Sequence, residues 1–406
     1  MSLPVRERQV DAFLLAATEQ RRARAEALVA ARPEIAEDRW ARLVLGRGGW
    51  DRDPNEPGGP RGWAPLLYVC HSCFASVELA RTLLDAGADP NACFQNEHGK
   101  MSALYGAAGR VHDPLLTAVL LEAGASPDDG ESLYHATEAK RPDCLALLLA
   151  GGAQTRCTNA LGHALDHEHL EHVKLLLEAG ADPNEGALLA HAVRRGRGAE
   201  FLRMLVEHGA DLDRPGGETW RGDVPLRTPY QHALLRGRHE LAELLAGHGA
   251  RTDGLDPADL AVAAVARGGR PQAPLPEALD VDQEEVVILA ALRGRLDLVL
   301  ELFGFGLSGV VGGSPPGTLL HHASWAGSAE VVAGLLARGA DPLASTCTAY
   351  DTPLAWAALG SQHHELPGRD HVAVAEALTV AGGRVEPRFL EVADGPLADW
   401  LERHLR

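Results

Sequence analysis

One short phrase returns along most of the chain and limits what the chain can fold into. The phrase contains a pair of leucines or related residues, then Gly-Ala or a close variant, and often Asp-Pro. Its copies are LLDAGADPN (83–91), LLEAGASPD (120–128), LLAGGAQT (148–155), LLEAGADPN (176–184), LVEHGADLD (205–213), LLAGHGART (244–252), LLARGADP (335–342) and LTVAGGRV (378–385). Such self-similarity indicates an array in which each segment contributes the same structural unit.

A second phrase precedes most copies of the first and reads as the start of a helix. Thr-Pro suits a first helical turn, because proline fixes φ there and its missing N–H is not needed. Glycine then ends a short helix, and a second helix follows with apolar residues at three- and four-residue spacing. The copies are APLLYV (64–69), SALYGAA (102–108), ESLYHA (131–136), TPYQHA (228–233), TLLHHA (318–323) and TPLAWA (352–357).

Together the two phrases resemble the T-P-L-H-x-A start and the L-L-x-x-G-A-D-x-N end of the ankyrin repeat. The resemblance covers about 63–252 and again 284–385. It implies an all-α solenoid of stacked helix-turn-helix repeats with short β-hairpin loops, roughly 10–11 units including degenerate caps. One helix pair has too little core to stand alone, so each must stack on its neighbours.

The repeat pattern divides the chain into five segments. The ends are degenerate and carry charge on one side, as caps should, and a Pro/Gly-rich stretch interrupts the period once. The segments are an N-terminal helical cap and loop (1–62), ankyrin repeats with clipped central hairpins (63–267), an irregular junction (268–282), further repeats (283–386) and a C-terminal capping helix (387–406).

The central repeats are shorter than the usual 33 or so residues. Gly124, Gly152, Gly180 and Gly209 follow one another at intervals of 28, 28 and 29 residues. The helices cannot shrink much, so we expect the hairpins between them to be clipped. Longer loops at 92–101 and 214–227 flank this stretch, which predicts a bounded notch rather than an open groove.

One column of side chains is expected to line the concave face of the first helices. In the T-P-L-H-x-A phrase, position x and the positions three and four residues later share that face. Four successive repeats place a histidine at x, beside carboxylates and arginines. The predicted groove residues are Tyr68, His71, Tyr105, Arg110, Tyr134, His135, Glu138, His163, Asp166, His167, His191, Arg194, Arg195, His232, Arg236, His322, Trp325 and Trp356.

Each of these histidines can also be a packing residue that hydrogen-bonds its neighbour, so three interpretations stay open. In the second, a histidine acts as a general base near neutral pH while Arg194 or Arg195 holds an anionic substrate. The best catalytic candidates are His135, His163, Asp166, His167 and His191.

The third interpretation is a divalent metal site. His163 and His167 stand at i and i+4 on one helical face, the spacing that lets two imidazoles share a cation. Glu138 or His191 from a neighbouring repeat would supply a third ligand and leave an open position. No other cofactor is predicted.

Composition excludes several partners. The formal charge of −18 (38 basic against 56 acidic residues) repels phosphate backbones, so nucleic acid is not an expected partner. No apolar run approaches the roughly 20 residues that a membrane helix needs, and the N-terminus lacks the apolar core of a signal peptide. Six cysteines and a preference for arginine over lysine favour a bacterial, cytoplasmic protein.

The resemblance implies a binding scaffold that holds a protein partner through its concave groove and hairpin loops. Given the net charge, we expect that partner to be basic or of mixed charge. The alternative is a small-molecule enzyme or receptor that uses the histidine-rich notch with its flanking carboxylates and arginines. The fold alone does not decide between the two.

Overall fold

The computed structural model describes residues 5–48, 50–96, 99–217, 225–271, 279–302, 310–311, 317–346, 350–363 and 367–405. The chain divides into two compact units. The first unit comprises Met1–Leu188 and Glu200–Asp211, and the second comprises Leu189–Ala199 and Leu212–Arg406. The described residues are mostly helical, as the predicted all-α repeat solenoid requires.

The first unit consists of helices and one antiparallel β-hairpin, in which Cys93–Asn96 pairs with Gly99–Ser102. A π-helical turn at Gly106–Val111 and 3-10 turns at Pro33–Glu37 and Glu185–Ala187 complete it. Its helices are Val5–Thr18, Arg22–Ala31, Arg39–Val44, Pro65–His71, Val77–Asp85, Ala103–Tyr105, Pro114–Glu122, Ser132–Ala136, Asp143–Ala150, Ala160–Asp166, Leu170–Glu178 and Ala199–Glu207.

The helix Pro114–Glu122 shows how the repeat phrase produces a bounded helix. Asp113 caps it, because its carboxylate accepts hydrogen bonds from two backbone N–H groups of the first turn. At the other end Gly124 adopts φ +93°, a left-handed conformation that costs glycine little. Leu116 and Leu120, one turn apart, are fully buried on the core side.

The asparagines that end two copies of the repeat phrase, Asn91 and Asn184, each tie one unit to the next. Asn91 accepts a hydrogen bond from Ser126 N (2.8 Å) and donates one to Gly124 O (3.2 Å), both in the following repeat. Asn184 contacts the turn at 209–211 in the same way. Asn55, which lies outside the recognisable repeats, does so at 87–89. Each contact satisfies backbone groups of a helix end, so consecutive turns keep a constant register.

The central repeats of the first unit lack β-hairpins. Residues 103–215 are all described and contain no strand. The clipped stretch therefore connects its helices by turns and coil, which is how 28-residue repeats keep both helices.

The described residues of the second unit have the same helix-pair construction and include one short antiparallel strand pair, Val310–Val311 with Gly317–Thr318. A π-helical turn at Ala291–Arg295 and 3-10 turns at Ser361–His363 and Pro387–Glu391 also occur. Its helices are Leu188–Arg194, Pro229–Leu235, His239–Gly247, Pro257–Ala266, Val281–Ala290, Leu296–Leu302, Leu319–Trp325, Ala329–Leu336, Pro353–Gly360, His371–Val380 and Gly395–His404.

The irregular junction predicted at 268–282 falls between two helices that pack directly on each other, Pro257–Ala266 and Val281–Ala290. Of its described residues, 268–271 and 279–280 form no helix, whereas 281–282 already begin the helix Val281–Ala290; residues 272–278 lie outside the described part of the chain.

A buried cluster of charges holds this region together. The Arg227 guanidinium, 4% exposed, binds both carboxylate oxygens of Asp259 at 2.7 Å and one of Asp280 at 2.6 Å. Asp282, fully buried, lies 3.4 Å from the same guanidinium and 2.9 Å from Arg194 Nε. Because charges in the interior must be paired, this cluster fixes the approach of the helices that carry the carboxylates.

The C-terminal segment covers the apolar end of the second unit. After the 3-10 turn, the helix Gly395–His404 places Leu397, Trp400 and Leu401 in the core, together with Phe389.

Four side chains expected in an accessible groove are buried instead: Tyr68, His71, His232 and Trp356. The prediction that these side chains line an accessible groove is therefore wrong for these four residues. In each case the polar atom of the side chain lies within hydrogen-bond distance of a backbone carbonyl, which precedes the helix for Tyr68, His232 and Trp356 and ends the hairpin Cys93–Ser102 for His71. The carbonyls belong to Gly58, Ser102, Gly216 and Tyr350, respectively.

Burial keeps two of these histidines neutral. It lowers the pKa of His71 and of His232 to about 3 in each case, because the charged ring would lose its hydration. Neutral His71 donates its Nε2–H to Ser102 O at 2.9 Å. Gly106 leaves room for this ring, since a Cβ at that position would stand 2.6 Å from His71 Cδ2.

Within the described residues no helix combines the length and the apolar character that a transmembrane span requires.

We expect Arg227→Met to destabilise the second unit by about 3–5 kcal/mol, because Asp259 and Asp280 lose their cation and Asp282 loses one of its three. Thermal unfolding followed by circular dichroism measures the change. Arg251→Met is the matched control, since Arg251 is 68% exposed and pairs only at the surface. Equal melting of the two variants would show that the cluster contributes little.

His71 should make the chain less stable as the pH falls below about 6.5. The unfolded chain then binds a proton that the folded chain, with its His71 pKa of about 3, does not. The contribution of His71 to the free energy of unfolding is therefore fully present above about pH 6.5. It is lost as the pH falls towards 3, by about 1.4 kcal/mol per pH unit. In His71→Gln, which can still donate to Ser102 O, the free energy of unfolding should fall less steeply by that amount. Denaturant titrations between pH 6.5 and 5 measure the slope, and an unchanged slope contradicts the assignment.

Candidate functional site

The two compact units share the predicted groove residues between them. His191 and the predicted groove residues that follow it in the sequence belong to the second unit. The first unit holds Tyr68, His71, Tyr105, Arg110, Tyr134, His135, Glu138, His163, Asp166 and His167. The second holds His191, Arg194, Arg195, His232, Arg236, His322, Trp325 and Trp356.

Five of the first unit's residues form a continuous line of rings, which we call the Tyr–His row: Tyr105, Tyr134, His135, His163 and His167. The centroids of Tyr105 and His135 are 5.1 Å apart, and those of His135 and Tyr134 are 5.0 Å apart. Tyr134 stacks on His163 at 3.8 Å with their planes 12° apart. His167 meets His163 edge-on at 4.6 Å. His167 is exposed and the other four rings are half-buried.

The row exists because successive first helices carry rings at equivalent positions. Ser132–Ala136 and Ala160–Asp166 present His135 and His163 at the same place in the repeat, and the helices pack side by side. Ser102 caps the helix Ala103–Tyr105 by accepting a hydrogen bond from Tyr105 N at 2.8 Å. This cap fixes the start of the helix that carries the Tyr105 ring.

His135 lies between two carboxylates. Its Nδ1 is 2.6 Å from Glu138 Oε1, and its Nε2 is 3.3 Å from Glu131 Oε2. The Glu138 contact is a hydrogen bond, and the Glu131 carboxylate approaches the opposite side of the ring. The ring is therefore held on both sides, and each of its nitrogens has an anionic partner.

A short relay fixes the Nδ1 side of the His163 ring. Its Nδ1 lies 2.9 Å from the Thr137 hydroxyl, which in turn donates to Tyr134 O at 2.7 Å. Burial lowers the pKa of His163, so the neutral ring offers a lone pair at Nε2. His167 Nε2 lies 3.3 Å from that atom and can donate to it.

The residues expected to bind a metal are only partly brought together. His163 and His167 approach each other, whereas Glu138, one of the two expected third ligands, is engaged by His135. In the part of the chain that the structure describes, no group of three or more His, Cys, Asp or Glu side chains could hold a metal ion.

The surroundings of the row are mainly negative. The pKa of Tyr134 is raised, first by burial and then by the charges of Glu138, Asp166 and Glu131. Arg110 is the nearby cation, and it acts on the Tyr105 hydroxyl, where burial again raises the pKa. A ligand at the row therefore meets carboxylates around Tyr134 and a guanidinium beside Tyr105.

In the second unit the predicted arginines take part in the buried charge cluster. Arg194 and Arg236 both approach Asp282, at 2.9 and 3.6 Å. Arg236 also binds Glu285 at 2.8 Å. Arg195 is exposed and His191 is half-buried.

His322 and Trp325 lie further along the second unit. Trp325 is 40% exposed, and the Arg369 guanidinium stands 5.0 Å from the centre of its ring. His322 is half-buried and meets the Trp356 ring edge-on at 5.1 Å.

Sequence reasoning missed Glu131 and Thr137, which hold His135 and His163 in place. A signal was present for Glu131, because it occupies the first position of the repeat phrase, four residues before His135. It also missed an aromatic cluster next to Tyr68, in which Trp63 stacks on Phe94 at 4.1 Å. Phe94 comes from the hairpin, so only folding reveals this contact.

Comparison with known proteins agrees with the repeat phrases. A family model described as ankyrin repeats (3 copies) matches residues 133–216 and 161–256. The human ASB11 ankyrin repeat domain is 20% identical, with a TM-score of 0.40 over 59% of this chain and 98% of that one. The Bcl-3 ankyrin repeat domain is 24% identical, with a TM-score of 0.37 over 43% of this chain and 82% of that one.

No curated protein matches the chain significantly. The family model, the recurring phrases and the paired helices agree with one another, and the identification depends on them. On these grounds residues 133–256 match the ankyrin repeat family, and the phrases before and after them resemble the same repeat.

Proposed function

We propose that this ankyrin repeat protein is a scaffold whose Tyr–His row binds a basic or mixed-charge segment of a protein partner. Ankyrin repeats generally mediate interactions between proteins. The observation that carries the proposal is the unbroken line of partly exposed rings from Tyr105 to His167, bordered by carboxylates. Cytoplasmic location and bacterial origin stay predictions, and the proposal needs no cofactor.

The chemistry of the row suits arginine and lysine side chains. A cation over a tyrosine ring gains about 0.5–2 kcal/mol, depending on how far it is desolvated. Glu131 and Glu138 stand beside the rings and can accept hydrogen bonds from the same cation. Arg110 gives the Tyr105 end the opposite charge, so the matching segment carries an acidic group on that side.

The row is also held in place before a partner arrives. Tyr134 is stacked on His163, and His163 is fixed by Thr137. Side chains that are already ordered lose little entropy on binding, and aromatic anchors of this kind dominate binding energy at interfaces.

One form of the alternative, an enzyme with His135 as general base, fits the geometry less well. A general base needs a ring nitrogen that can accept a proton from a substrate. Both nitrogens of His135 contact carboxylates, so a substrate would first have to displace Glu131 or Glu138.

We expect the double variant Glu131→Gln, Glu138→Gln to bind the partner at least tenfold more weakly, because two acceptors for the partner's cation lose their charge. The matched control is Glu178→Gln, an exposed glutamate at the end of an outer helix. The measurement is fluorescence anisotropy with Arg- and Lys-containing peptides derived from proteins captured from the native host.

The affinity of the wild-type chain should also fall as salt is added, since exposed charges are screened. Equal affinity of the double variant and the Glu178→Gln control would remove the Tyr–His row from the binding surface.

A further inference from the structure

The sequence Arg-Gly recurs at the turns between helices of the second unit. In four helix-turn-helix connections of the second unit, an arginine precedes a glycine, and another arginine follows it in three of them. Each of these glycines has a positive φ between +69° and +81°, so it makes the turn. The turns, called the Arg-Gly turns below, are 195–197, 236–238, 267–269 and 293–295.

Three of the Arg-Gly turns open onto one cavity of about 470 Å³. Six arginines line it, and the described residues of its wall include no carboxylate. This is a local concentration of arginine in a chain whose net charge is −18, and two of the six, Arg194 and Arg236, are also paired with Asp282 from behind the wall. The arginines are Arg194, Arg195, Arg236, Arg238, Arg293 and Arg295.

Backbone carbonyls of preceding turns hold several of these guanidinium groups in position. Arg238 donates to Gly196 O at 2.6 Å, and Arg236 donates through Nε to Arg194 O at 3.1 Å. Arg295 donates to Ala266 O. Each contact uses one of the five N–H groups of a guanidinium, so the fork is oriented and retains donors for a ligand.

One donor at this wall is left without a partner. Arg236 is 7% exposed, and its Nη1 is buried without a hydrogen bond to any described residue. Burial and the neighbouring charges of Arg194 and Arg227 disfavour the charged guanidinium and lower the pKa of Arg236, although Asp282 and Glu285 act in the opposite sense. A buried cation in this condition is stabilised by an added anion.

The rest of the wall is apolar. Val286 and Leu289, from the helix Val281–Ala290, line the same cavity, and Leu289 is 46% exposed. The volume lies in the range of small-molecule sites. An occupant therefore needs anionic groups for the arginines and an uncharged body for the leucine side.

We propose that the Arg-Gly turns form a binding site for a small organic phosphate. Planar guanidinium groups bind phosphate oxygens through two parallel N–H donors, which matches the forks arranged here. The phosphate groups contact the arginines and the body of the molecule packs on Leu289. This site is separate from the Tyr–His row and does not depend on it.

The test uses isothermal titration of the full-length chain with ADP, pyrophosphate and adenosine, at constant ionic strength. We expect ADP to bind, pyrophosphate to bind more weakly, and adenosine not to bind. Arg293→Gln should weaken the affinity for ADP about tenfold, because one guanidinium of the site is lost. Arg293 is exposed at the turn and can be replaced without breaking a described ion pair. Arg270→Gln, 82% exposed and outside the cavity, is the matched control.

Three outcomes overturn the proposal. The first is that neither ADP nor pyrophosphate binds, and the second is that Arg293→Gln and Arg270→Gln bind ADP equally well. The third is binding to vesicles that contain phosphatidylinositol phosphates without binding to either soluble probe, which would assign the arginines to a lipid surface. Thermal melts of both variants confirm that they remain folded.

Discussion

The structure depends on one constraint: a pair of short helices cannot bury its apolar side alone and must stack on an equivalent pair. Stacking brings the same sequence position of successive repeats together, which is why His135 and His163 become neighbours although 28 residues separate them. The asparagine contacts at Gly124 and at 209–211 keep that register. The Tyr–His row and the Arg-Gly turns both arise from this repetition, one on helices and the other on the turns between them.

The repeat phrases predicted the fold well, because glycine, proline and periodic leucines act locally. Helix boundaries such as Pro114–Glu122 follow from a capping residue and a left-handed glycine that can be read directly. Burial of particular groove residues could not be read in this way. Tyr68 and His232 are covered by backbone before the helix, at Gly58 and Gly216, and the path of such segments depends on contacts distant in sequence.

The site shows the same division between local and distant information. The i,i+4 approach of His163 and His167 follows from helix geometry and was predictable. The engagement of Glu138 by His135 was not, since it depends on which of several nearby partners a flexible carboxylate meets. Likewise, Arg194 and Arg236 read as groove cations in the sequence. In the structure both approach Asp282, which lies more than forty residues further along the chain.

The Arg227 cluster has a consequence for how the second unit opens. Its carboxylates come from the start of two different helices, so neither helix can detach without exposing an unpaired charge. Nearest-neighbour arrays usually fray one repeat at a time, whereas the helices Pro257–Ala266 and Val281–Ala290 are coupled through the Arg227 guanidinium. We therefore expect the amide hydrogens of these two helices to exchange with solvent together, as one foldon.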